Sequence, residues 1–258
     1  VAKALMVRLE ELGKENLIDR LILVAAPQIG TPQALVGLLH GRDFLPRYLS
    51  LDGTVRAVAS TFPGAYGLLP STAFYMELGT STVEFGIGSV TDTYRNQYQR
   101  YIDAITEQFS FSINIPQTRI NPGVDDLVTP LALSNSILTS ARATHEVLDA
   151  WVAPEDVSVY EVAGWGKPTT HRVDYSTINA FKCPTGIFSC GYYESLDFEP
   201  LKLSDGDGTV ITDSAYRLEG GKYFDLQELA ALSVSRENRE HDNIIGSPRV
   251  HAYLSELL

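Results

Sequence analysis

The stretch that most constrains the fold is LILVAA, Leu21 to Ala26, an unbroken apolar run ended by Pro27. Apolar residues without polar alternation must be covered on both faces, which is the situation of a strand inside a parallel sheet. A parallel strand needs a crossover, and the residues before it supply one. From Val1 to Gly13, apolar residues recur at Ala4, Leu5, Val7, Leu9 and Leu12, and Gly13 is placed to end a helix. Helix, short loop, a strand over Ile18–Ala26 and then PQIGTP make the second half of a β–α–β unit. Its first strand is expected ahead of Val1.

From Gln33 to Pro154 the texture changes. Loop-like pieces such as FPGAYGLLPS and GTSTVEFGIGS alternate with two helix patterns, Tyr94–Phe109 and Pro130–Trp151. No parallel-strand rhythm is evident, so residues 33–154 read as a mostly helical cap inserted after a core strand. The core is expected to comprise 1–32 and 155–258. It resumes with DVSVYEVAGWG, a strand ending in Gly-rich turn chemistry, followed by the SDGDGTV loop. A short helix near Thr212–Arg217, a strand near Leu232–Ser235 and a final helix over Pro248–Leu257 complete it.

The 258 residues carry a formal charge of -12 and no basic run, which argues against a nucleic-acid partner or an anionic membrane surface. No apolar stretch approaches the roughly 20 residues of a membrane span. The two cysteines, Cys183 and Cys190, either close a small disulfide loop in an oxidising compartment or stay as thiols. Neither belongs to a Cys/His cluster, so no zinc site is expected. The compartment is left open, with a soluble and extracytoplasmic protein in view.

Two C-terminal segments carry the chemistry. In LSDGDGTV, Asp207 lies where a strand end runs into a tight turn; in RENREHDN, His241 follows 34 residues later in a polar loop. An acid at a strand end followed by a loop histidine is the chain order of the Ser…Asp…His triad. The bland alternatives are a solvated Asp-Gly turn and a surface histidine. Asp205 is the neighbouring acid. DGDGTV also invites a calcium loop, but the EF-hand fails because Val210 and Tyr216 stand where Gly and Glu are required. A calcium site of another kind stays open. A second acidic turn, GVDDLVTP with Asp125 and Asp126, reads better as the N-cap of a following helix. His40, His145, His171 and His251 read as structural or surface residues.

Several segments in order resemble the lecithin:cholesterol acyltransferase family of α/β-hydrolases, which includes lipases, phospholipases and acyltransferases. IDRLILVAAPQIGTPQAL looks like the family's strand and TPHxGS-type turn. AYGLLPS resembles its LLPS lid segment, and VYEVAGWGKPTTHRVDY its strand entering a G-x-G-x-x-T turn. GDGTV and EHDNII are similar to its acid and histidine loops. Gln28 stands where relatives often carry a histidine. The resemblance implies a three-layer α/β-hydrolase with a parallel sheet and a helical cap. It also implies that the family's G-x-S-x-G elbow, absent from these residues, lies upstream with the N-terminal part of the core.

On that resemblance the expected activity is hydrolysis or transacylation of lipid or other carboxylic esters through an acyl-serine, with the serine outside this chain. Asp207 and His241 are the expected catalytic acid and base. No metal or organic cofactor is implied. Trp165, Leu68 and Leu69 are the expected contacts to an acyl substrate. The chain alone is expected to be inactive and to need the missing N-terminal segment. The alternative is a non-catalytic binding or scaffold module that keeps the hydrolase shape.

Overall fold

The structure, a computed structural model, describes residues 1–41, 52–79, 82–85, 133–182, 190–218, 221–232 and 240–258. The first helix, α1 (Ala2–Glu11), ends as its glycine predicts. Gly13 takes φ 61°, its N–H donates to the Glu10 carbonyl, and the Lys14 N–H reaches back to Leu9. This pair of bonds satisfies carbonyls that the helix end would otherwise orphan. The apolar run forms β1 (Arg20–Val24), whose Leu21 and Leu23 pack with Met6 of α1 and with Val157.

β1 pairs in parallel with β3 (Ser158–Trp165), and β3 pairs in parallel with β6 (Lys222–Asp225). Helices cover both faces of this sheet. α1 lies on one. On the other, α8 (Leu226–Leu232) and the last helix, α9 (Pro248–Leu257), bring Leu226, Leu229 and Val250 onto Ala25 and Val162. The fold is therefore mixed α/β with a parallel sheet between helices, the environment that a continuous apolar strand requires.

Among the described residues, 33–41 and 52–79 contain four helices: α2 (Gln33–His40), α3 (Asp52–Ala59), α4 (Pro63–Tyr66) and α5 (Thr72–Leu78). The Pro130–Trp151 pattern becomes α6 (Asn135–Asp149), and the short helix near Thr212–Arg217 becomes α7 (Thr212–Ala215). The Tyr94–Phe109 pattern and the Asp125–Asp126 turn lie outside the described residues. The expected lack of parallel strands here is corrected by β2 (Val83–Phe85), which pairs in parallel with β4 (Lys167–Lys182).

β4 itself is a second correction. The residues after Gly166 were read as turn and loop, yet β4 and β5 (Gly191–Gly206) form a long antiparallel hairpin. Its strands hold three Thr, three Tyr and two Phe, which suit a pleated surface. Val173, Tyr175 and Phe198 pack onto Leu35, Leu38 and Leu39 of α2. Cys190, beside the start of β5, is disulfide-bonded; Cys183, the other cysteine, lies outside the described residues.

Of the strand expected near Leu232–Ser235, Leu232 is the last residue of α8, and 233–235 lie outside the described residues. α8 starts where Asp225 Oδ1 accepts from the N–H groups of Gln227 (2.8 Å) and Glu228 (3.1 Å). Among the described residues no helix is long and apolar enough to cross a membrane.

Candidate active site

The site lies beyond the C-terminal end of β3, where open parallel sheets leave their crevice. β5 ends at Gly206, and the chain turns sharply through Asp207-Gly208-Thr209-Val210. Gly208 has φ 98°, which a side chain would resist. Asp207 is 1% exposed. Its Oδ1 accepts from the Thr209 N–H (3.0 Å) and the Val210 N–H (2.7 Å), and its own N–H donates to the Val210 carbonyl (3.1 Å). One carboxylate oxygen is thus spent on its own turn, which leaves Oδ2 aimed outward.

Oδ2 meets His241, which donates its Nδ1–H at 2.8 Å. The backbone repeats the link, because the His241 N–H donates to the Asp207 carbonyl at 2.9 Å. His241 is held by its own local device. It opens a 3-10 turn, His241–Gly246, whose capping box pairs Glu240 and Asn243 reciprocally. The Glu240 N–H donates to Asn243 Oδ1 at 2.8 Å. Each partner is therefore shaped by its own turn.

The Asp207 hydrogen bond raises the His241 pKa above the ordinary imidazole value. Partial burial works the other way, and the charges of Asp207 and Asp242 add to the rise. The side chain is 34% exposed, and Nε2 has no hydrogen-bond partner among the described residues. An imidazole held at Nδ1 by a buried carboxylate and open at Nε2 can take a proton from a hydroxyl and give it back.

Gly164 on β3 makes room for this arrangement. A Cβ there would lie 2.7 Å from Leu226 Cδ1, 3.1 Å from the Asp207 Cβ and 3.1 Å from Ile244 Cδ1. The strand, the acid turn, the histidine turn and α8 converge on one position, where an added Cβ would force Leu226 to give way.

Asp205, the neighbouring acid, pairs with His171 Nε2 across the hairpin and not with His241. Trp165 is 39% exposed at the end of β3, one residue past Gly164. Of the two leucines, Leu69 is buried among Leu35, Tyr66 and Leu138, and Leu68, half-buried, packs against the same cluster. His40 is buried and stacked on Phe198, while His145 is held between Asp149 (3.2 Å) and the Gly67 carbonyl (3.0 Å). Gln28 donates from Nε2 to the buried Glu161 at 2.6 Å and to the Ala215 carbonyl at 3.0 Å, which gives it a structural role.

Gly164 and the Glu240–Asn243 box were not read from the sequence as parts of the site. The E-x-x-N spacing around His241 was the available signal for the box.

No family model and no curated protein matches the chain. Among solved structures, a chain of the Tle4–Tli4 complex crystal structure is similar in fold, with a TM-score of 0.51 and 17% identity. The match covers 86% of this chain and 50% of that one, so this chain spans about half the length of its structural neighbour.

Proposed function

We propose that Asp207 and His241 are the acid and base of a serine-dependent ester hydrolase or acyltransferase of the three-layer α/β-hydrolase type. The observation that carries this reading is the geometry of His241. A buried, fully bonded carboxylate holds Nδ1, while Nε2 opens outward at the C-terminal edge of a parallel sheet. The mixed α/β likeness to a solved structure supports the fold half of the reading.

In this mechanism His241 Nε2 takes the proton of a serine hydroxyl as its oxygen attacks the ester carbonyl carbon. The resulting imidazolium is stabilised by Asp207. It then gives that proton to the departing alkoxide as the ester C–O bond breaks, leaving an acyl-serine. Water or an alcohol repeats the sequence and releases an acid or a new ester. The serine belongs to a segment outside these 258 residues, because G-x-S-x-G occurs nowhere in them. The substrates are lipid or other carboxylic esters, and Trp165, exposed at the end of β3, is the proposed apolar contact.

The test is turnover of a p-nitrophenyl ester by the intact protein and its Asp207→Ala and His241→Ala variants. Each change is expected to lower kcat by about 10⁴-fold while leaving the fold in place. Unchanged turnover in both variants would sink the assignment and favour a non-catalytic hydrolase-shaped module.

A further inference from the structure

The G-x-G-x-x-T turn, Gly164 to Thr169, is so far explained only at its first glycine. The second, Gly166, sits at φ 92°, where the chain leaves β3 for β4 beside Asp225 and Gln227. The threonine remains. Thr169 is fully buried, with none of its surface exposed. Its Oγ1 accepts the Gly208 N–H at 2.8 Å and donates to the Lys167 carbonyl at 2.9 Å.

We infer that Thr169 is the positioning residue of the acid turn: its buried hydroxyl ties Gly208 to the start of β4 and thereby aims Asp207 at His241. The word positioning rests on the esterase reading above; the tie itself does not.

Three observations converge on this. The first is the pairing of β4 with β5, which breaks register on both sides of Thr169, between Lys167 and Thr169 and again between Thr170 and Arg172. Bulges of this kind re-aim a side chain out of the regular ladder. The second is Gly206, where a Cβ would lie 2.6 Å from Thr169 Oγ1 and 2.4 Å from the Val210 carbonyl. The residue before Asp207 is thus kept bare at the place where the hydroxyl enters. The third is the balance of bonds. The contacts from Asp207 Oδ1 to Thr209 and Val210 shape the turn internally, but they do not fix it against the sheet. The Thr169 hydroxyl does so, at a depth where no water can replace it.

The test uses the intact protein and two variants. Thr169→Val keeps the shape and removes the hydroxyl; Thr169→Ser keeps the hydroxyl. Two quantities are read by NMR: the titration midpoint of His241, and the exchange rate of the Gly208 amide hydrogen. Wild type and Thr169→Ser should share a raised midpoint and a slowly exchanging Gly208. In Thr169→Val the midpoint should fall toward the ordinary imidazole value of about 6.5, and Gly208 should exchange rapidly.

A folded valine variant with the wild-type midpoint overturns the inference. If the valine variant does not fold, the amide decides. Fast exchange of Gly208 in wild type overturns the inference, and slow exchange in both wild type and the serine variant supports it. Neither readout needs turnover. A failed esterase reading, seen as active Asp207→Ala and His241→Ala proteins, is therefore distinguishable from a failed role for Thr169.

Discussion

At the scale of single residues, the raised His241 pKa has two consequences of opposite direction. A general base works as neutral imidazole, so activity should appear only as pH rises through a midpoint above the ordinary imidazole value. In Asp207→Asn that limb of the kcat/KM profile should move to lower pH, with far lower activity throughout. Stability runs the other way. A group whose folded pKa is raised stabilises the fold below its unfolded pKa and loses that contribution as pH rises through the folded value. The melting-temperature gap between wild type and His241→Asn should therefore be larger near pH 6 than near pH 9, and a gap independent of pH would refute it. Asp207 and His241 were legible because each sits in a turn with its own local signature, Asp-Gly in one case and a capping sequence in the other. Leu68 and Leu69 carry no such signature, because an apolar pair has the same pattern whether it lines a channel or packs a core. Thr169 was illegible because its partner lies 39 residues away across a bulged ladder.

Among the elements, α1, β1, β3 and α9 were readable because each is marked by its own period and its own terminus. The Schellman bonds at Gly13 and the proline opening α9 are examples. The β4–β5 hairpin was missed because its strands mix polar and apolar residues, as where Val173, Tyr175 and Phe198 pack against α2 in a stretch that also holds Arg172, Asp174 and Glu199. β6 and α8 were not read from the sequence because KYFD is too short and polar to mark a strand; the available signal for α8 was Asp225 with Glu228 three residues on. The convergence of four elements at Gly164 makes a specific prediction. Gly164→Ala should cost about 1–3 kcal/mol by overpacking, read as a lower midpoint in urea. The same change should broaden or shift the His241 resonance, since its Cβ enters beside Asp207 and Ile244. A variant as stable as wild type would show that the strand can move aside.

Across the whole molecule, distant stretches of chain are tied through polar groups as well as through the sheet. Glu161, 1% exposed in the middle of β3, accepts from Gln28 Nε2 and from the N–H groups of Arg217 (2.6 Å) and Leu218 (2.7 Å). Thr31 Oγ1 donates to the Thr209 carbonyl at 2.6 Å, and Ser214 Oγ to the Gly30 carbonyl at 2.6 Å. The turn after β1 and the acid turn are thus stitched together. Glu161→Ala should remove the shared acceptor of two backbone N–H groups and of the Gln28 amide, and destabilise the fold by about 1–3 kcal/mol. Thermal unfolding would check this, and a loss below about 1 kcal/mol would contradict it.

The hairpin leaves the sheet at Lys167 and returns to Gly206, its partner in register, immediately before Asp207. Forty residues of chain therefore begin and end at one place. Beyond the pair Tyr175–Phe198 the ribbon continues through Ser176–Asp197 out to Lys182–Gly191. Its reach can lengthen or shorten by matched pairs without altering where the acid is delivered. The distance in sequence between the G-x-G-x-x-T turn and GDGTV is consequently a free dimension of this architecture, available for growth of an outer structure while the dyad stays in place.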